Sequence, residues 1–183
     1  MTKKVEIKFP HFISQKLAKD IKTILFDFSS GSQEINEKIL KLILRLQSKR
    51  TLKFLIEFFK DNFQTFQVVQ ETLYEIERNF DKEELNNIKQ KIRENLKANS
   101  KRIEAIFYKL KPKLKSGIKI LTISNSKTVY ETIRIIHLRN YKPVIFILES
   151  KPGGEGNLIY QKLKKLEMKV HFVKDKEMKK IID

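Results

Sequence analysis

The sequence predicts an α/β protein, with an all-helical amino-terminal subdomain over residues 1–117 and a short Rossmann-like parallel βαβαβ sheet over 118–183. Three observations predict it. Up to Gly117, apolar residues recur at helical spacing, and no stretch reads as a strand with conviction. After Gly117 the period changes to two short β-branched runs, 118–123 and 144–148, each bounded by turn residues in the pattern of strands buried on both faces. Helical stretches follow each run, and that alternation implies parallel strands joined by right-handed crossovers.

Phe9-Pro10-His11 opens a first helix through Phe12, Ile13, Leu17, Ile21, Ile24 and Leu25, which the 29–32 run of Ser-Ser-Gly-Ser should stop. Ser30 with Gln33 has capping-box spacing and predicts a second helix start. Thr51 caps a third helix to Phe63, and Thr65 a fourth to about Phe80. Those two hold Phe54, Phe58, Phe59, Phe63, Phe66 and Phe80, a set whose spacing suits bundle core better than a binding platform. Asp81 with Glu84 repeats the capping-box spacing and starts a long helix, which Pro112 should bend or end because proline has no N–H to donate. Beyond Gly117, 128–138 and 158–166 read as helices, 168–173 as a third strand and 176–182 as a short closing helix.

The chain has 183 residues, 40% of them hydrophobic, enough for a real core. It has no cysteine, which excludes disulfides, thiolate metal sites and a cysteine nucleophile and fits a reducing cytoplasm. Residues 1–9 lack the apolar run of a signal peptide, and no run approaches the ~20 apolar residues of a membrane span, so a cytoplasmic protein without membrane contact is expected. The net charge of +17 favours anionic partners, although lysine and glutamate enrichment also suits a solvated, heat-stable surface. Lys109, Lys111, Lys113, Lys115 and Lys119 form a basic run uninterrupted by acid; it suits RNA, acidic protein or a solvated linker, and no stacking aromatic is evident beside it in the sequence.

Ligands of parallel sheets sit beyond the carboxyl ends of the strands. Three turns therefore compete: 124–127, 149–156 and the region after Val173. Ser124, Asn125, Ser126 and Lys127 place hydroxyls, an amide and an ammonium at a helix amino end, where free N–H groups and the helix dipole favour an anion. Glu149, Ser150, Lys151 and the glycines up to Gly156 offer a carboxylate, an ammonium and close backbone approach. As plain structure, Ser126 is a helix cap and Gly153-Gly154 a turn. His11, His137 and His171 have no metal-ligand spacing, and neither a Walker nor a Rossmann glycine fingerprint occurs, so no metal or cofactor is expected.

ILTISNSKTVYETI followed by VIFILESKPGGEGNLIYQKLKKLEMKVHFVKD resembles one family: the alpha, beta and delta subunits of eukaryotic translation initiation factor 2B, with ribose-1,5-bisphosphate isomerase and methylthioribose-1-phosphate isomerase. The matches are Ile120, Leu121, Thr122, Asn125 and Ser126, then Glu149, Ser150, Pro152, Glu155 and Gly156. The turn around Gly31 also resembles the one before that family's second helix. The resemblance implies a phosphorylated ribose or a nucleotide near Gly31, Ser32, Asn125, Ser126, Glu149 and Lys151. Ser124 stands where the family has histidine, and Lys151 where it has arginine, whose two-pronged grip on phosphate an ammonium lacks. The related isomerases use a cysteine, and an aspartate that lies in a further half of the sheet. The resemblance therefore implies a non-catalytic binding or assembly module with a vestigial site. An isomerase, or half of a split one, and a basic RNA-binding protein are the alternatives. The exposed sheet edge further predicts a homo-oligomer or hetero-complex.

Overall fold

The computed structural model describes residues 7–123, 125–151 and 154–182. It divides into two compact units between Glu94 and Asn95.

The first unit is helical. Helix α1 (Gln15–Leu25) starts later than the apolar spacing alone indicates, because the Ser14 hydroxyl accepts the N–H of Leu17 at 3.2 Å and fixes the first turn there. After it, Asp27 accepts N–H groups from Ser29 and Ser30 and an ion pair from Lys38, which folds 27–30 into a tight turn. Helix α2 (Ser32–Ile43) is capped by Gly31 rather than Ser30. Helix α3 (Lys49–Asn62) starts at Ser48, whose hydroxyl accepts the N–H of Arg50, so Thr51 lies inside the helix. Helix α4 (Gln67–Asn79) follows Phe66 instead of a threonine cap.

Ile21, Ile35, Ile39, Ile43, Leu52, Leu55, Phe59 and Leu73 are fully buried between these helices. Burying one such side chain stabilises the fold by roughly 1.5–3 kcal/mol. Of the six phenylalanines of the predicted third and fourth helices, Phe59 and Phe63 reach the core. Phe54 and Phe58 are half-buried and join Phe9 and Phe12 in a chain of ring contacts 5.6–6.4 Å apart. Helix α5 (Leu85–Leu110) runs through the division between the units and gives way to a 3-10 turn, Lys111–Lys113, at Pro112.

The second unit carries the sheet. The order is β1 (Lys119–Thr122), α6 (Lys127–Leu138), β2 (Val144–Leu148), α7 (Glu155–Lys164) and β3 (Lys169–Val173), then a 3-10 turn, Asp175–Glu177, and α8 (Lys179–Ile182). The strands are parallel in the order β1-β2-β3, with Ile120 beside Ile145 and Ile145 beside Val170. Residues of this parity form one face. Helices α6 and α7 cover it, burying Ile133, Ile145, Ile147, Ile159, Leu163 and Met168 in one cluster.

The opposite face presents Leu121, Val144, Phe146, Leu148, His171 and Val173, of which only Leu148 is buried. Strands buried on both faces were expected, and β2 comes nearest to that. Strands β1 and β3 are edges whose residues are largely half-buried or exposed. His171 is exposed and stacks on Phe146, ring centroids 5.1 Å apart.

Candidate functional site

Parallel pairing brings the carboxyl ends of the three strands side by side, so the turns after them share one edge. The turn after β1 feeds α6, whose N-cap is Ser126 with extended backbone and no side-chain cap hydrogen bond. Asn125 is 8% exposed, and its side-chain oxygen accepts from Lys162 Nζ, reaching over from α7, at 3.3 Å. Lys127 opens the helix, and no acidic residue lies in the first turn. A helix amino end with two nearby ammonium groups favours an anion over a cation. Ser124 lies outside the described residues.

The turn after β2 is built differently. Ser150 takes a left-handed conformation, φ +58°, unusual for a residue other than glycine. Three bonds hold it there. Its N–H donates to Asp175 Oδ1 at 2.9 Å, and its hydroxyl donates to the carbonyls of Ile123 and Leu148. Lys151 N–H donates to the other carboxylate oxygen of Asp175 at 3.0 Å. The N–H groups of Lys151 and Ser150 hold the Asp175 carboxyl below the usual carboxylate range, with a smaller contribution from the Lys151 charge. The Lys151 ammonium pairs with Glu149 at 3.0 Å, and Glu149 N–H donates to the carbonyl of Val173. Ser150 thus ties together the chain ends of β1, β2 and β3.

Gly156 is buried against β2. A Cβ placed on it would stand 1.9 Å from the carbonyl oxygen of Leu148. Close approach of α7 to the strand therefore accounts for this glycine without a ligand. Pro152 and Gly153 lie outside the described residues.

Gly31 and Ser32 belong to the first unit, at the amino end of α2. Gly31 has extended backbone, so its role there is an N-cap and not a left-handed turn. The first turn of α2 already carries an acidic residue, Glu34. The neighbouring Asp27 carboxyl is pulled up by burial, but hydrogen bonds from Lys38, Ser30 and Ser29 outweigh this and leave it well below its ordinary range.

Two residues of this edge escape a reading of the sequence. Asp175 is the first carboxylate past the third strand, a position that parallel-sheet geometry alone would flag. Lys162 has no local signal; only the placement of α7 brings it to Asn125. Among the described residues, no group of three potential ligands could hold a metal, and no helix is long and apolar enough to cross a membrane.

A helical amino-terminal part followed by a parallel three-stranded sheet with its turns gathered at the carboxyl edge defines an α/β protein of Rossmann-like construction. The chain belongs to the initiation factor 2 subunit family, whose model matches residues 12–183. Among solved structures it is similar to the Pyrococcus horikoshii OT3 translation initiation factor eIF-2B, at 18% identity and a TM-score of 0.64, over 90% of this chain and 62% of that one. It is also similar to the tetrameric eIF2B-beta2-delta2 complex from C. thermophilum, at 15% identity and a TM-score of 0.54, over 90% of this chain and 60% of that one. The chain thus spans about three fifths of the length of these structures. No curated protein sequence matches it.

Proposed function

We propose that this family member is a non-catalytic binding and assembly subunit, and that it holds a phosphorylated sugar or a nucleotide at the carboxyl edge of its sheet. The observation that carries the reading is the way the edge is divided. The amides of Ser150 and Lys151 bond Asp175 and Glu149 pairs with Lys151, and the amino end of α6 has Ser126 as its N-cap, Lys127 as its first residue, Lys162 bonded to the adjoining Asn125 and no acid in its first turn. An anion is the ligand that suits the second arrangement. The missing cysteine supports binding over isomerase chemistry. Assembly is supported by the outer positions of β1 and β3 in the sheet among the described residues and by the multi-subunit complex named for one structural neighbour.

Thermal unfolding with millimolar ribose 1,5-bisphosphate or AMP tests the site, because a ligand that binds the folded state raises the midpoint by mass action. Unchanged midpoints with both would remove the ligand. Turnover of ribose 1,5-bisphosphate or methylthioribose 1-phosphate would remove the non-catalytic reading. A single monomeric mass in light scattering at micromolar concentration, alone and with partner subunits, would remove the assembly reading.

A further inference from the structure

Charge is unevenly shared along the chain. Residues 95–183 hold 21 of the 39 basic side chains but only 8 of the 22 acidic ones. Several of those acids are engaged locally: Glu131 with Arg134 at 2.8 Å, Glu149 with Lys151, Asp175 with two amides, and Glu177 with the N–H of Lys174. Between Ala105 and Tyr130 there is no acid at all. The basic surplus therefore faces solvent with little to offset it.

The fold gathers part of this surplus at the end of the sheet opposite the ligand turns. The run of exposed Lys111, Lys113 and Lys115 leads into β1, and Gly117 N–H donates to the carbonyl of Tyr141 at 2.9 Å. Gly117 has φ +71°, a conformation that suits glycine, and this turn lays the lysine run beside the segment entering β2. That segment brings exposed Arg139 and Lys142. It also brings Tyr141 to the aromatic pair Phe107 and Tyr108, which stand just before the run at the end of α5. Phe107, 2% exposed, is the anchor: its ring lies 6.1 Å from that of Tyr141 and 5.6 Å from that of Tyr108, with the Arg139 guanidinium 5.4 Å from its centroid. Tyr108 is 56% exposed and Tyr141 half-buried.

We propose that this end of the 95–183 unit binds single-stranded nucleic acid, with Lys111, Lys113, Lys115, Arg139 and Lys142 on phosphates and Tyr108 and Tyr141 stacking on bases. Lysine point charges tolerate any register along a phosphate chain, and every base offers a ring face to a tyrosine. An acidic protein would use the charges but would gain little from an exposed Tyr108. The surface is separate from the sugar-phosphate edge and does not depend on it.

Fluorescence anisotropy of the whole chain with a labelled oligouridylate of about 12 nucleotides tests this. Five phosphate contacts predict a loss of affinity of about a hundredfold between roughly 50 and 200 mM salt. Replacing Lys111, Lys113 and Lys115 together by Gln should weaken binding at least tenfold, and Tyr108→Ala about tenfold. The triple Gln replacement of Lys16, Lys19 and Lys22 on α1 should change it less than twofold. No binding at the lower salt overturns the proposal. So does an equal loss from the α1 variant, which would make the attraction diffuse. Full affinity in Tyr108→Ala, with polyglutamate competing as well as the oligonucleotide, would assign the surface to acidic protein instead.

Discussion

Asp175 accepts the backbone N–H of Ser150 at 2.9 Å, so a carboxylate of the chain itself occupies the turn that follows β2. Its second oxygen takes the N–H of Lys151. Charge-assisted bonds of this kind are stronger than neutral ones. Asp175→Asn keeps one acceptor and loses the charge. The amide protons of Ser150 and Lys151 are then expected to exchange roughly tenfold faster, with exchange in β2 unchanged. Equal protection in both proteins would show that the carboxylate does not hold the turn.

Acid should act through two carboxylates. The folded-state pKa values of Asp27 and Asp175 both lie below their unfolded value of about 3.9. Each therefore contributes stability that is complete above that unfolded value and lost as pH falls through the folded one. The urea midpoint should be level from about pH 7 to 5 and drop below about pH 4. A chain carrying Asp27→Asn and Asp175→Asn should start lower and fall less steeply. An identical slope would place the acid sensitivity elsewhere.

Gly156→Ala puts a methyl group into the carbonyl of Leu148, which backbone on both sides holds in place. Overpacking of this severity costs about 3 kcal/mol. Urea unfolding should show the loss as a lower midpoint, with cross-peaks of Leu148 and Ile159 displaced in NMR spectra. Wild-type stability would mean that α7 can move away from β2 at little cost.

Phe59→Ala removes a fully buried ring from the first unit. Such truncations cost about 3–5 kcal/mol through lost transfer energy and the cavity left behind. Calorimetry should show the transition of the helical unit moving down. A loss under about 1 kcal/mol would indicate that Phe63 and neighbouring side chains collapse into the space.

Strand β2 is readable to the residue because its apolar run is continuous and is bounded by Pro143 on one side and the charged Glu149 on the other. Helix starts were less legible. Ser30, Thr51 and Thr65 all have capping chemistry, yet the chain uses Gly31, Ser48 and Phe66. The choice depends on which residue leaves the apolar stripe facing the core, and that is a property of the packed bundle. Edge strands are less legible for a related reason: Ile120 and Val170 look as apolar as Ile145, but strand order decides which of them has neighbours on both sides. At the carboxyl edge, Asn125, Ser126, Glu149, Ser150 and Lys151 could be named from the sequence, whereas Lys162 could not, because the distance from Asn125 is bridged only in space.

Ser150 has a further consequence for how this chain tolerates change. Its hydroxyl reaches Ile123 and its N–H reaches Asp175, so residues far apart in sequence share one node. Substitutions in contact through such a node do not add. Ser150→Ala and Asp175→Asn combined should cost less than their separate effects together, since either one already frees the turn. The three turns then behave as one mechanical unit, and reshaping this edge would require coordinated rather than single replacements.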